Sequence, residues 1–178
     1  MTAAPTVSIN RAPVLTLWSA VVAERLGFDR DAAVTLGRTV AGLNAAAKAR
    51  GLGLAEPRSK AVSRKRPPRR TAGREIEVTL LGRAFTAVET PEGLRALDDG
   101  RPVSAESVHR YLEGKFGEDL EAVRAAMTAL ARSRPRERLT EEAYALYEAF
   151  RPAVPRSARG WGAKGVLDLD LIRSLAER

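Results

Sequence analysis

One stretch in the middle of the chain, residues 56–74, limits what the chain can fold into. It holds eight basic side chains against one acidic side chain, with three prolines, no aromatic residue and Val62 as the one sizeable apolar side chain. A segment of this composition cannot bury enough apolar surface to offset the entropy lost on ordering, and its like charges repel one another. We therefore interpret it as a basic flexible linker. It separates an N-terminal helical module over residues 1–55 from a C-terminal domain over residues 75–178.

The linker also carries most of the positive charge of the chain, which is +8 from 30 basic and 22 acidic side chains. Residues 1–55 have six basic and three acidic side chains, and residues 75–178 have 16 basic and 18 acidic ones. A basic block of this kind indicates a polyanionic partner, and the planar guanidinium of arginine suits phosphates. We therefore predict phosphate contacts from the eight basic residues of the linker. These are Arg58, Lys60, Arg64, Lys65, Arg66, Arg69, Arg70 and Arg74.

The composition excludes most catalytic chemistries, because the chain has no cysteine and one histidine, His109. Disulfides, thiol nucleophiles, thiolate zinc sites and mechanisms with two imidazoles are thereby ruled out. His109 is expected at the surface or boundary of a helix, and the sequence does not show which residue, if any, is its hydrogen-bond partner. Because no convergent set of polar residues is visible, we expect no enzymatic activity, no cofactor and no metal site.

Two helices are predicted in the N-terminal module. Apolar residues recur with helical spacing from Val14 onward until Gly27 ends the pattern. A second helical pattern, capped by Asp29 or Asp31, extends to about Arg50. A helical pair of this size cannot bury its apolar faces alone. It therefore needs a third helix or a second subunit, so a homodimer through the N-terminal helices is one expectation.

The turn between these helices has a recognisable set of residues. A small residue in the first helix allows a close crossing, a glycine makes the turn, and apolar residues after it bury the second helix. In the segment AERLGFDRDAAVTL these are Ala23, Gly27, Phe28, Ala33 and Leu36. Over about twenty residues the chain resembles helix-turn-helix DNA-binding proteins, whose second helix enters the major groove and contacts bases.

This resemblance implies that the outward residues of the second helix face the DNA. The outward positions are Arg30, Asp31, Val34, Thr35 and Arg38. Among them Arg30, Thr35 and Arg38 are the candidate nucleic-acid contacts. A helical hairpin that serves only packing or dimerisation remains the alternative.

The C-terminal domain is predicted to begin with a β-hairpin. Ile76, Val78 and Leu80 alternate, and apolar residues resume at Phe85 after a turn at Gly82. The following stretch, TPEGLRALDDGRPVS, has turn residues at both ends and supports at most a short helical turn between two loops.

Three or four short amphipathic helices are predicted after the hairpin. Ser104 and Thr140 are plausible caps for two of them, and the last begins at Leu167 or Asp168. Their expected spans are 104–117, 120–134, 140–151 and 167–175. The predicted fold is therefore mainly α with a small β-hairpin, an α+β class, with two small helical modules joined by the basic linker.

The loop between the last two helices is a secondary candidate for nucleic-acid contact. Its glycines allow a phosphate to approach the backbone, and an exposed tryptophan can stack on an unpaired base. The candidate residues are Arg159, Trp161 and Lys164. An ordered loop in which Trp161 packs into the core is the alternative.

These features together predict a soluble, cytoplasmic, bacterial protein that binds nucleic acid, with DNA favoured over RNA. The linker contacts phosphates, the second helix reads bases, and the role is regulatory. The alternative is a protein–protein interaction adaptor in which the basic segment is only a spacer. No membrane partner is expected, since no uncharged apolar run approaches the ~20 residues of a membrane span. Export is disfavoured because the apolar pattern continues beyond Ala23, where a leader would be cleaved.

Overall fold

The computed structural model describes residues 6–51, 73–154 and 164–178, with side chains up to residue 47 in the first range. The strands are β1 (Thr6–Ile9), β2 (Glu75–Leu80), β3 (Arg83–Thr90), β4 (Gly93–Asp98), β5 (Arg101–Pro102) and β6 (Gly165–Asp168). The helices are α1 (Arg11–Arg25), α2 (Arg30–Gly51), α3 (Ala105–Phe116), α4 (Leu120–Arg132), α5 (Arg136–Phe150) and α6 (Leu169–Ala176). The expected class, mainly α with a small antiparallel β component, is confirmed.

Helix α1 lies at the centre of the fold. Every residue from Pro13 to Ala23 is buried, including the polar Thr16 and Ser19. Thr16 satisfies its hydroxyl locally by donating to the Ala12 carbonyl at 2.9 Å. A helix that is buried on all sides needs neighbours on every face, and α2, α3, α4 and α5 supply them.

Helix α2 packs back along α1 after a short turn. Gly27 adopts a φ of +113°, and the Phe28 amide donates to the Ala23 carbonyl at 3.1 Å. Asp29 caps α2, because its Oδ1 accepts a hydrogen bond from the Ala32 amide at 2.7 Å. The sequence offers Asp29 and Asp31 as alternative caps. The third element that the helical pair requires is supplied by the chain's own C-terminal half, so packing no longer calls for a second subunit.

A four-stranded antiparallel sheet, in the order β2-β3-β4-β5, covers one side of α2. The predicted hairpin is confirmed as β2 and β3, with a tight turn in which Leu81 and Gly82 both have positive φ. The expectation that residues 90–104 form at most a short helical turn between two loops is wrong, because β4 and β5 continue the sheet. The reason is tertiary: β4 gains its backbone partners from β3 and its burial from α2, neither of which is local.

The second sheet joins the two ends of the chain. Strand β1 pairs antiparallel with β6, from Thr6 opposite Asp168 to Ile9 opposite Gly165. These four-residue strands were not predicted from the sequence. Helix α6 starts two residues later than expected, with Asp168 as its cap, since Oδ1 accepts from the amides of Asp170 and Leu171.

The remaining helices match the predicted spans with one exception. Ser104 caps α3, because its hydroxyl accepts from the Ser107 amide at 3.2 Å. Thr140 does not cap α5, which begins at Arg136 directly after Pro135. Thr140 lies inside the helix, where its hydroxyl donates to the Arg136 carbonyl at 2.9 Å. A proline before the first turn starts this helix earlier than the capping argument placed it.

One hydrophobic core includes residues from both sides of the predicted linker. Trp18 of α1 is fully buried, donates its indole N–H to the Ala143 carbonyl of α5 at 2.9 Å, and packs edge-on against Phe150. The described residues therefore share one hydrophobic core, which extends across the boundary that the sequence predicted between the N-terminal module and the C-terminal domain. The expected boundary follows a change in composition, whereas the core is formed by long-range contacts that composition does not reveal.

Candidate nucleic-acid interface

The net charge of the protein comes from residues outside the described ranges. The described residues carry 21 basic and 21 acidic side chains and are formally neutral. Residues 52–72 add seven basic and one acidic side chain, and residues 155–163 add two basic ones. The whole charge of +8 therefore comes from these two segments, which we call the basic segments.

Most of the predicted phosphate contacts lie in the basic segments and so outside the described residues. They are Arg58, Lys60, Arg64, Lys65, Arg66, Arg69 and Arg70, with Arg159 and Trp161 of the secondary loop. Two candidates are described at the borders of these segments. Arg74 is exposed just before β2, and Lys164 is exposed just before β6.

Described residues that shortly precede each basic segment in the sequence line a cavity of about 490 Å³, which we call the basic pocket. Among the described residues, its lining has three arginines, Arg11, Arg83 and Arg151, and no carboxylate. Ala47 also lines it, four residues before α2 ends and the first segment starts. Arg151 lies four residues before the second segment. Arg11, Arg83 and Arg151 thus converge near described residues that precede both basic segments in the sequence.

The arginines of the basic pocket are held by neutral partners. Arg11 donates from Nε to the Pro152 carbonyl at 3.0 Å, and Arg83 donates from Nη2 to Asn44 Oδ1 at 3.1 Å. Within the described residues, neither these two nor Arg151 forms an ion pair with a carboxylate. Since a guanidinium has five N–H donors, each arginine retains donors for an anion.

Two tyrosines form the aromatic side of the basic pocket. Tyr144 donates its hydroxyl to Asn44 Oδ1 at 3.3 Å, and Tyr147 packs between Tyr144 and Phe150. Burial raises the pKa of Tyr147 to about 12, although nearby Arg11 and Arg151 act in the opposite direction. Tyr147 is therefore a neutral phenol at physiological pH and adds no negative charge to the pocket.

The candidate base-contacting face of α2 is largely buried. Thr35 is fully buried; its hydroxyl donates to the Ala32 carbonyl and accepts from the Ala96 amide of β4 at 3.0 Å. Val34 is also fully buried. Thr35 must therefore be removed from the nucleic-acid contacts inferred from the helix-turn-helix resemblance, because a base contact requires an accessible side chain.

Two of the other outward positions of α2, Asp31 and Arg38, have partners on α3. Asp31 accepts a hydrogen bond from His109 Nε2 at 2.9 Å, and Arg38 stacks over the Tyr111 ring at 4.8 Å. Arg30 is exposed. Since residues 32–37 are all buried by α1, α3 and β4, this half of α2 presents no face that could enter a major groove.

The Asp31–His109 pair answers the question that the sequence left open about His109. The hydrogen bond from His109 holds the pKa of Asp31 below its ordinary value of 3.8, and partial desolvation opposes this effect.

In the described ranges, no three histidine or acidic side chains converge in a way that could hold a metal ion. None of the described helices qualifies as a bilayer-crossing segment; α2 has the length, 22 residues, but not the apolar run.

Sequence reasoning did not find the arginines of the basic pocket. Arg11, Arg83 and Arg151 are separated by about seventy residues along the chain and belong to no local motif. Comparisons with protein-family models, with curated proteins and with solved structures found no match for the chain. The functional argument therefore depends on the charges and contacts of the chain itself.

Proposed function

We propose that the protein binds nucleic acid, with DNA as the favoured partner, mainly through phosphate contacts. One observation carries this proposal: the entire net charge lies in two segments, and described residues a few positions before each of them line a pocket with three arginines and, among the described residues, no carboxylate. A solvated spacer would need neither the concentration of charge nor these arginines without a carboxylate partner.

The proposed mechanism combines two kinds of phosphate contact. The basic segments attract the polyanion and release its condensed counterions, with about 0.9 units of logarithmic salt slope per phosphate neutralised on duplex DNA. Arg11, Arg83 and Arg151 then bind a phosphate, and the neutral partners of Arg11 and Arg83 restrict these two side chains while leaving donors free. Such contacts fix position but do not read sequence.

Base readout by α2 is not part of this proposal, because Thr35 and its neighbours are buried. The protein is proposed to act in the bacterial cytoplasm, where it would bind DNA with little sequence preference. A homodimer is not required for this mechanism, since each chain has its own basic segments and its own pocket.

The test is a binding titration with a labelled 30-base-pair duplex, followed by fluorescence anisotropy at several salt concentrations. In one variant, four cations of the first basic segment are neutralised: Arg64→Gln, Lys65→Gln, Arg66→Gln and Arg69→Gln. The matched control removes the same charge from exposed positions of the folded part: Arg101→Gln, Arg136→Gln, Arg173→Gln and Arg178→Gln. The two variants have the same net charge, so any difference between them reports where the charge lies.

With four to six cations engaged, the intact chain is expected to show a slope of roughly −4 to −5. The segment variant should lose about two to four units of that slope, and the control less than about one. A third variant, Arg11→Gln with Arg83→Gln and Arg151→Gln, should weaken binding after its fold has been checked by circular dichroism. Equal salt dependence of the segment variant and the control would contradict the proposal and leave the adaptor alternative.

A further inference from the structure

A second cluster of arginines lies at the other end of α1, in a groove of about 600 Å³ between α1 and α4. We call it the α1–α4 groove. Its polar lining consists of Arg25 and Glu24 from α1 and of Arg124, Thr128 and Arg132 from α4. The residues that form it belong neither to the basic segments nor to the basic pocket. Arg11 and Arg25 are fourteen residues apart, about 21 Å along the helix.

Arg124 is the central feature of the α1–α4 groove. Only 11% of its side chain is exposed, yet it makes no hydrogen bond within the described residues. Its Nε and Nη1 are fully buried and make no hydrogen bond in the described part of the chain, although Nη1 lies 3.5 Å from Glu24 Oε2. A buried guanidinium whose donors make no hydrogen bond is costly, because a carboxylate at this distance only partly replaces the water that it has lost.

Arg25 repeats this pattern on the facing helix. Its Nη2 donates to the Arg134 carbonyl at 3.3 Å, while its Nε is buried without a partner. Arg132 is exposed at the mouth of the groove and forms no ion pair with the described residues. The hydroxyl of Thr128 also makes no hydrogen bond in the described part of the chain, so it adds a donor.

The charges of the α1–α4 groove are not balanced by the protein. Glu24 is the one carboxylate that lines it; its Oε2 lies 3.5 Å from Arg124 Nη1 and accepts no hydrogen bond from it. The described residues that line the groove therefore carry three guanidinium groups and one carboxylate, an excess of two positive charges, while Arg30 and Glu121, of opposite charge, act on Arg124 from outside the lining. Burial lowers the pKa of Arg124 and the charge of nearby Arg30 lowers it further, whereas Glu24 and Glu121 oppose this shift.

We propose that the α1–α4 groove binds a phosphate monoester. The dianion has two negative charges, which match the excess of the groove, and three terminal oxygens that accept from several donors at once. Arg124 and Arg132 contact these oxygens, Thr128 donates a hydrogen bond to them from its hydroxyl, and Arg25 contacts them from the α1 side of the groove. A phosphodiester fits less well, because it has one negative charge and two terminal oxygens.

The test uses the full chain, with inorganic phosphate as the probe and sodium chloride to keep the ionic strength constant. Isothermal titration calorimetry measures affinity, and thermal unfolding reports stabilisation by the bound anion. Arg132→Gln removes an exposed groove residue that does not support the core, and Arg136→Gln is the control with the same charge change outside the groove. Arg124→Met removes the buried charge but keeps a similar stem.

The wild-type chain is expected to bind one phosphate, with the dissociation constant raised at least tenfold in Arg132→Gln and unchanged in Arg136→Gln. Phosphate binding should also be lost in Arg124→Met. If that variant does not fold, Arg132→Gln alone decides. The proposal is overturned if phosphate gives no heat and no more stabilisation than chloride, or if the two glutamine variants bind equally well.

Two sources could supply the phosphate monoester, and a second set of probes distinguishes them. Glucose 6-phosphate represents a small metabolite, and a twelve-nucleotide strand with a 5′-phosphate, compared with the same strand ending in a hydroxyl, represents a strand terminus. A preference for the phosphorylated strand that disappears in Arg132→Gln identifies the terminus; binding of the sugar phosphate without that preference identifies a small ligand. The inorganic phosphate experiment does not involve nucleic acid, so it can succeed or fail independently of the function proposed above.

Discussion

The hydroxyl of Thr35 shows how one residue can be predicted for the surface and belong to the core. Its sequence position on the outward side of a helix-turn-helix pattern suggested a base contact. In the fold it joins α2 to β4, because it donates to Ala32 and accepts from the Ala96 amide. A polar group that is satisfied in this way is stable in the core, and the sequence does not show that a strand will cover it.

Glycine 37 sets the distance between α1 and α2. A Cβ at this position would overlap the Thr16 carbonyl oxygen and would lie 2.9 Å from the Ala20 amide nitrogen, both backbone atoms of a buried helix. Gly42, one and a half turns later in the same helix, has no atom within 4 Å of such a Cβ. The two glycines therefore differ in packing, although both lie in α2.

We expect Gly37→Ala to lower the free energy of unfolding by about 1–3 kcal/mol, because the helices must separate. Gly42→Ala should raise it by up to about 1 kcal/mol, because alanine favours the helix and no contact is disturbed. Urea denaturation of both variants measures the difference. Since the substitution is the same, effects on the unfolded chain cancel between them. Equal destabilisation of the two variants would contradict the close approach of α1 and α2 at Gly37.

At the scale of elements, α2 and α3 are joined by two polar contacts on the surface. Asp31 accepts from His109, and Arg38 stacks on Tyr111. Both contacts use the residues that the sequence assigned to the outer face of α2. The outer face is therefore partly an interface with α3, which explains why charged residues occur at regular spacing there without forming a DNA-reading surface.

The Asp31–His109 contact predicts a pH dependence of stability. Because the folded-state pKa of Asp31 is lowered, its contribution is complete above 3.8 and is lost as the pH falls below 3.8 through the folded pKa. For a pair with 56% and 28% of its side chains exposed, the contribution is about 0.2–1 kcal/mol. The stability difference between wild type and Asp31→Asn should thus shrink as the pH falls through 3.8 and below.

Urea denaturation between pH 3 and 7 measures this difference. His109→Gln provides the control background, because the hydrogen bond from His109 is the main cause of the lowered pKa. In that background, Asp31→Asn should change stability with a weaker dependence on pH. The same pH dependence in both backgrounds would show that the contact does not stabilise the ionised carboxylate.

For the whole molecule, local patterns in the sequence predicted local structure and little beyond it. Helical spacing located most of the helices, and alternation located the first hairpin. The strands β1 and β6 could not be found, because Val7 pairs with Leu167 at the far end of the chain. The same limit applies to the basic pocket, whose arginines come from α1, from β3 and from the residue after α5 and converge only when these elements have packed.

The charge of the molecule was predicted more fully than its contacts. The concentration of positive charge between α2 and β2 is a property of the sequence, and the fold adds that the described residues are neutral. The unpaired donors of Arg124 could not be predicted, because Arg124 and Glu24 are brought together by the packing of α4 on α1. Composition thus indicates a polyanionic partner, whereas the individual anion sites depend on tertiary structure.

The shared core leads to a prediction about folding. Helix α1 is enclosed by the chain's C-terminal half, and Trp18 contacts Ala143 and Phe150 of α5. Without α1, the apolar faces of α4 and α5 would be exposed, and β6 would lose its partner β1. A fragment of residues 75–178 is therefore expected to lack a cooperative thermal transition, in contrast to the full chain, as measured by circular dichroism.

A fluorescence experiment on the full chain tests whether the two halves share one core. The chain has two tryptophans, so in Trp161→Phe the fluorescence reports on Trp18 alone. If the halves share one core, the fluorescence transition of Trp18 and the circular dichroism transition of all helices coincide in urea, because α1 cannot leave the core while the other helices stay folded. Two separate transitions, or a sigmoidal melt of the 75–178 fragment, would instead mean that the C-terminal half folds alone and that α1 only docks onto it.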